Sequence, residues 1–226
     1  MGVGCCEVES MSLRLIRVAL GVILGLIVVL TVILPRGSGP GTGNSDDPVG
    51  RAILADPFPA PPLELVDVGG LPVDLQDLEG SLVALFFGYT YCPDVCPLTL
   101  ATLGRLQEEQ AGADPPLEVV FVSVDPERDT PGRLRSFAAG LPGRVRALTG
   151  RGEAIRAQAV AWGVDVQRPG APEEIDPDGP VPDYRVDHTA RTFILDAAGR
   201  VVATLPAMVS AADARAILER VRRARR

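Results

Sequence analysis

Two continuous apolar runs constrain the fold of this chain more than any other feature of its sequence. They read "SLVALFFGY" at residues 81–89 and "LEVVFVSVD" at residues 117–125. A strand that is apolar at nearly every position must be covered on both faces, as the central strands of an α/β sheet are. Residues 97–110, between the two runs, have the pattern of a helix. The sequence therefore predicts a strand–helix–strand unit at the centre of the fold.

The rest of the sequence extends this alternation of strands and helices. Two late strands, at residues 191–196 and 200–205, are separated by "AAG", which is typical of a hairpin. Further strands are predicted at residues 63–68 and 145–150, and further helices after Thr130, at residues 153–162 and at residues 210–225. This order predicts an α/β fold with a thioredoxin-like sheet over residues 56–226. Residues 165–187, rich in Pro, Asp and Glu, are predicted to form a long loop, and such loops are often functional.

Another apolar segment lies before this domain. Residues 18–34 carry no charge, and a helix that begins at Leu15 would be about 30 Å long, enough to cross the core of a bilayer. Because arginines precede the segment, the positive-inside rule predicts a single-pass helix in the cytoplasmic membrane with the following domain outside. A cleaved signal peptide is the alternative. The predicted segments are a cytoplasmic N-terminus at 1–14, which contains Cys5 and Cys6, a transmembrane anchor at 15–34 and a flexible tether at 35–55.

The stretch "GYTYCPDVCPLTL" places Cys92 and Cys96 directly after the first buried strand. Each cysteine precedes a proline, and a residue before proline is biased away from the helical conformation. Pro97 suits the first position of the helix that follows. We therefore expect both thiols on a stiff loop at a helix N-terminus, where the helix dipole lowers a thiol pKa.

The spacing of the two cysteines leaves their chemistry open. In an extracytoplasmic compartment, a Cys92–Cys96 disulfide or a redox pair is the favoured interpretation from spacing alone. A closed zinc site is disfavoured because it needs four ligands. Cu(I) accepts two or three soft ligands and prefers thiolate, so copper remains the metal alternative.

His188, in "YRVDHTARTFILD", is the chain's one histidine and the obvious candidate for a third ligand. A lone histidine is more often a surface or core residue than a ligand. Its predicted place, just before a strand of the same sheet, would however let it approach Cys92 and Cys96. Asp187 or Asp94 would then orient the ligands or balance their charge. A turn-forming or capping role is the alternative for both aspartates.

Three motifs together resemble those of the Sco/SenC family. They are "FFGYTYCPDVCP" from residue 86, "VSVDPERDTP" from residue 122 and "YRVDHTARTFILDAAG" from residue 184. The resemblance implies a thioredoxin-like domain in the periplasm or on the outer face of the membrane. It also implies a copper site made by Cys92, Cys96 and His188. The residues of "DPERDTP" themselves indicate only a strand end and a turn, with Thr130 capping the next helix.

The resemblance implies two possible functions. The first is a copper metallochaperone that delivers copper, as Cu(I) or Cu(II), to the dinuclear centre in subunit II of cytochrome c oxidase. The second is a thiol–disulfide oxidoreductase that reduces the cysteines of that centre. Other periplasmic copper chaperones or thioredoxin-like reductants are further expected partners. Whether the protein is an enzyme is left open, with metal binding and transfer favoured. A nucleic-acid partner is disfavoured by the net charge of -7 and the lack of a basic stripe with interleaved aromatics.

Overall fold

The computed structural model describes residues 48–172, 175–176 and 179–224, together with Gly21. Cys5, Cys6 and the predicted N-terminal segment 1–14 lie outside the described residues, as does all of the predicted anchor 15–34 except Gly21. Among the described residues, no helix combines the length and apolarity needed to span a bilayer.

The helices and strands follow one another in an alternating α/β order. The α-helices are α1 (Pro48–Ala52), α2 (Val95–Glu109), α3 (Pro131–Ala139), α4 (Gly152–Ala161) and α5 (Ala211–Arg223). The strands are β1 (Ile53–Pro59), β2 (Leu65–Asp67), β3 (Pro72–Val73), β4 (Leu82–Gly88), β5 (Leu117–Ser123), β6 (Val145–Thr149), β7 (Val166–Gln167), β8 (Asp187–His188), β9 (Arg191–Leu195) and β10 (Arg200–Pro206).

Eight of the described strands form one mixed sheet in the order β1-β10-β9-β4-β5-β6-β2-β3. Its centre holds the parallel strands β4, β5 and β6, and β9 pairs with β4 in the antiparallel sense. The short strands β7 and β8 form a separate antiparallel pair, with Val166 opposite His188. The prediction of an α/β domain with a late hairpin is confirmed.

The core is built around the two apolar runs. Every residue of β4 is buried, and in β5 all but one are. The largest buried side chains there are Phe86, Phe87 and Phe121, which are fully inaccessible to solvent. Helix α2 packs on β4 and β5, α3 on β6, and α5 on β10 and α2. The prediction that both runs are central strands covered on both faces is therefore confirmed.

Strand direction decides where a site can form. The parallel strands β4 and β5 end at the same edge of the sheet. Strand β9 runs antiparallel to β4 and so begins at that edge. The segments after β4, after β5 and before β9 carry the three motifs, so the topology gathers all three at one edge. Ligand sites of open α/β sheets form at this carboxyl edge.

Residues 48–55, which belong to the stretch 35–55 that the sequence assigns to a tether, are helical and extended. Helix α1 and the start of β1 lie there, and β1 pairs with β10, with Phe58 opposite Val201. The sequence of β1, "ILADPFP", contains two prolines, which mask a strand pattern. Because β1 lies at the edge of the sheet, these prolines are tolerated.

Candidate metal centre

Cys92 lies in the loop that follows β4, as predicted. Its side chain is partly buried, and its Sγ accepts the backbone N–H of Cys96 at 3.4 Å. The sulfur therefore sits against the free N–H groups at the start of α2, where negative charge is stabilised.

Cys96 lies in the first turn of α2 and is completely buried. The prediction that both cysteines lie on the loop is wrong for Cys96, because the helix begins at Val95 rather than at Pro97. The Asp94 carboxylate accepts the backbone N–H of Val95 at 2.5 Å and so caps the helix. This cap outweighs the bias of a residue before proline, and the missing N–H of Pro97 costs nothing in a first turn.

The two thiols ionise differently. Hydrogen bonds lower the pKa of Cys92 to about 6, first from the Cys96 thiol and then from backbone N–H groups of residues 94–96, against the effect of burial. The pKa of Cys96 is raised because its thiol donates to Cys92 and because it is buried. Both cysteines are free thiols in the structure. The reduced pair is therefore one thiolate, Cys92, held by one neutral thiol, Cys96.

His188, from strand β8, contacts the thiol of Cys96. Its Nε2 lies 3.7 Å from Cys96 Sγ. The Phe86 and Tyr89 rings make T-shaped contacts with the imidazole, with ring centroids 6.1 and 5.9 Å away. Burial lowers the pKa of His188, against the effects of the Thr189 backbone and the Asp187 charge, which keeps the imidazole neutral. A neutral imidazole with Nε2 directed at a thiol can bind a metal ion through Nε2 without first losing a proton.

The donor atoms suit a soft metal ion. Two ligand atoms bonded to one metal at about 2.0–2.3 Å lie about 3.5–4 Å apart, which matches the Cys96–His188 distance. Thiolates are soft ligands that bind Cu(I) well, and an imidazole also suits copper. In the described ranges, no three His, Cys, Asp or Glu side chains are already gathered around one point. The structure thus places the Cys96 and His188 donor atoms at a distance that suits a shared metal ion. Cys92 contacts Cys96 by hydrogen bonds.

The two aspartates differ in what they contact. The Asp94 carboxylate caps α2, which is the alternative that the sequence left open for it. Asp187 is exposed, and its charge favours the protonated form of His188. A role for either in orienting metal ligands stays a prediction.

The site opens into a cleft of about 810 Å³. Cys92 and His188 line it, together with Tyr91, Arg128 and Tyr184. A partner that exchanges ligands with the thiols therefore has room to approach from this side.

Sequence reasoning missed the role of residues 125–129. The carboxylate of Asp129 is fully buried and accepts hydrogen bonds from the Thr90 amide, the Thr90 hydroxyl and the Ser123 hydroxyl. Burial raises the pKa of Asp129, and these hydrogen bonds oppose the rise. The turn after β5 thereby fixes the start of the cysteine loop. The sequence signal was the pair of acidic residues Asp125 and Asp129 at and shortly after the end of a buried strand, which by themselves also fit an ordinary turn.

The same turn also holds the segment before His188. Arg128 Nε donates to Asp125 at 2.5 Å, and the Tyr184 hydroxyl donates to the same carboxylate at 2.5 Å. The guanidinium carbon of Arg128 lies 3.5 Å from the centroid of the Tyr184 ring. This buried cluster is made by residues that are 59 positions apart in the chain, so no local pattern could reveal it.

Known proteins resemble this chain in sequence and in fold. The SCO1/SenC family model matches residues 55–224. An SCO2-like protein of Rickettsia felis is 30% identical over 137 residues, which cover 61% of this chain and 64% of that protein. The chain thus spans slightly less than two thirds of the length of that curated relative.

Solved structures give the same result. The apo Sco1 protein of Thermus thermophilus is 35% identical, with a TM-score of 0.59 over 74% of this chain and 92% of that one. Copper-bound ScoI of Bradyrhizobium japonicum is 31% identical, with a TM-score of 0.56 over 73% and 97%. The thioredoxin-like fold, the three motifs and the family match agree, and the chain belongs to the SCO1/SenC family.

Proposed function

We propose that this protein is a copper metallochaperone that binds Cu(I) through Cys92, Cys96 and His188. The observation that carries the proposal is the 3.7 Å approach of His188 Nε2 to Cys96 Sγ, with a neutral imidazole and a free thiol. A relative of the same fold binds copper, and the Sco family is one of cytochrome c oxidase assembly proteins. The recipient is then the dinuclear copper centre of cytochrome c oxidase subunit II.

Residues 15–34 would anchor the protein in the cytoplasmic membrane, with residues 1–14 inside the cell. Residues after 34 would tether the domain on the outer face. An anchored domain searches the membrane surface, where a membrane-bound oxidase presents its own copper site.

Copper is the cargo, and the transfer is a ligand exchange. Each bond from copper to Cys92, Cys96 or His188 is replaced by a bond to a thiolate or imidazole of the recipient, and Cu(I) keeps its oxidation state. The partly exposed Cys92 lines the cleft through which the recipient's ligands would enter. Exchange with a disulfide of a partner, which is reduced to two thiols, would oxidise Cys92 and Cys96 to a disulfide and release the metal.

A second function, thiol–disulfide exchange, is favoured by the different ionisation of the two thiols. The Cys92 thiolate, with a pKa of about 6, is partly exposed, whereas Cys96 is buried and protonated. Cys92 would attack a disulfide of the partner and form a mixed disulfide. Cys96 would then lose its proton and attack Cys92 Sγ, which leaves a Cys92–Cys96 disulfide here and two thiols in the partner.

The test is an anaerobic Cu(I) titration against a chelator, with the full chain in detergent micelles. Cys5→Ser and Cys6→Ser are made first, so that only Cys92 and Cys96 supply thiols. We expect His188→Ala to weaken Cu(I) binding at least tenfold, because loss of a ligand should exceed the 10–100-fold effect typical of groups around a ligand. X-ray absorption should lose its nitrogen scatterer in the same variant.

Unchanged affinity and coordination in His188→Ala would show that the three-ligand site is wrong. A disulfide-reduction assay on the same proteins then separates the two functions. If no variant binds copper and His188→Ala still reduces disulfides at the wild-type rate, thiol–disulfide exchange is the function.

A further inference from the structure

The segment that carries His188 has little structure of its own. Between β7 and β8, the described residues contain no helix or strand. Fixing such a segment costs conformational entropy at every residue, so its position must come from contacts outside it. The imidazole contributes the contact of its Nε2 with Cys96 Sγ, whereas its Nδ1 is buried without a hydrogen-bond partner among the described residues.

Arg128 supplies contacts of the required kind. Its side chain is 2% exposed and its guanidinium donates to the carbonyl oxygens of Tyr184 at 2.8 Å and Pro182 at 3.3 Å. The Asp125 carboxylate holds both Arg128 and the Tyr184 hydroxyl. The backbone four residues before His188 is therefore attached to a rigid turn at the end of β5.

The same guanidinium reaches the cysteine side. It lies 4.9 Å from the centroid of the Tyr91 ring, and Tyr91 directly precedes Cys92. The neighbouring Asp129 holds Thr90 from the same turn. The buried Arg128 thus contacts both the cysteine loop and the segment before His188. The distance between these two segments decides whether the thiols and the imidazole can bind one metal ion.

We propose that Arg128 is a positioning residue that sets the approach of His188 to Cys96. The inference rests on the proposed function, because it gives that approach a role in copper binding. Arg128 acts through backbone carbonyls and ring faces, not through contact with the metal. A lysine cannot replace it, because the contacts of Arg128 come from two separate nitrogens, Nε and Nη1, of one planar group stacked on a ring, whereas the N–H groups of lysine all leave a single nitrogen.

The first experiment compares Arg128→Lys with wild type in the full chain in micelles. Because the chain has one histidine, a protein labelled only in its histidine imidazole reports on His188 alone. In the metal-free protein, we expect the imidazole NMR signals to lose the shifts caused by the Phe86 and Tyr89 rings. We also expect Cu(I) affinity to fall about 10–100-fold, the range for groups that orient a ligand. Arg215→Lys, in an exposed ion pair with Glu109, is the matched control and should change neither readout.

A double-mutant cycle shows whether Arg128 changes Cu(I) affinity through His188. If Arg128 acts through His188, Arg128→Lys should cause no further loss of Cu(I) affinity in the His188→Ala background. Tyr184→Phe keeps the ring under the guanidinium but removes the hydroxyl bonded to Asp125. It should shift the imidazole signals in the same direction by a smaller amount, and it remains informative if Arg128→Lys does not fold.

Two results would overturn the inference. One is an imidazole spectrum unchanged in a folded Arg128→Lys protein. The other is an equal loss of Cu(I) affinity with and without His188. Failure of the proposed function looks different, since His188→Ala alone would then leave Cu(I) affinity unchanged while the metal-free NMR comparison still reports on Arg128.

Discussion

Cys96 and His188 lie 3.7 Å apart but are held by different kinds of structure. Cys96 belongs to a helix that packs on the two central strands, and its side chain is fully buried in the core. His188 lies on a two-residue strand outside the main sheet, and the described residues between β7 and this strand form no helix or strand. Cys96 is thus positioned by close packing and the start of the cysteine loop by the hydrogen bonds of Asp129, whereas the histidine side is held by a few directed polar contacts.

The two sides should therefore be sensitive to different kinds of substitution. A packed core resists small displacements, so the cysteine side should respond to changes in volume. A segment held by hydrogen bonds and an ion pair should respond to loss of a single donor or acceptor. In the proposed copper transfer, this division would let His188 move while Cys96 stays fixed.

The largest effect is expected for Asp129→Ala, which removes the acceptor that ties the cysteine loop to the turn after β5. Three donors from Thr90 and Ser123 lose their partner in the protein interior. We expect the free energy of unfolding to fall by about 3 kcal/mol. Denaturant unfolding of the reduced protein measures it. Asp56→Ala, on the exposed face of β1, is the control, and an equal change in both variants would contradict the argument.

Gly88→Ala tests packing on the cysteine side. A Cβ at this position would lie 2.9 Å from Cys96 Sγ, 2.9 Å from Phe86 and 3.0 Å from Phe121. We expect a loss of about 1–3 kcal/mol in stability, the usual range for overpacking, together with weaker Cu(I) binding. Gly132→Ala, where a Cβ meets no atom within 4 Å, should not destabilise the protein. If the two variants behave alike, the cysteine side is less tightly packed than described.

The ionisation of Cys92 provides a test by pH. Since its folded pKa is about 6, below the ordinary thiol value of 9.0, the thiolate stabilises the folded state above pH 9 and this contribution is lost as the pH falls to 6. The stability difference between wild type and Cys92→Ser, both reduced, should therefore grow from pH 6 to pH 9. Cys96→Ala should raise the pH at which Cys92 becomes reactive to iodoacetamide, because it removes the largest cause of the low pKa. A flat pH profile would refute the thiolate assignment.

The smallest effect is expected on the histidine side, for Thr189→Val. The Thr189 hydroxyl accepts the Asp165 backbone N–H at 3.1 Å and helps to hold β7 against β8. Its loss should cost about 0.5–1.5 kcal/mol locally. Hydrogen exchange at residues 165–167 and 187–189 should quicken while β4 stays protected. Thr189→Ser keeps the hydroxyl and should restore protection, and faster exchange in β4 would show that the two sides are not separate.

Much of the fold could be predicted because it depends on patterns that are local in sequence. The buried strands β4 and β5, the late hairpin and the Thr130 cap all appear as predicted. The start of α2 could not be placed correctly. Two local preferences compete there, the bias of a residue before proline and the cap at Asp94, and the cap prevails.

The sequence by itself determined the α/β order, the candidate ligands Cys92, Cys96 and His188, and the family to which they point. Tertiary structure decided that Cys96 is a helical, buried thiol, and that His188 approaches it across the edge shared by β4 and β9. It also decided what residues 125–129 do, since their partners Thr90 and Tyr184 lie 39 and 59 positions away. A sequence pattern reports the preferences of neighbouring residues, whereas hydrogen bonds and ion pairs between distant residues exist only once the strands have brought them together.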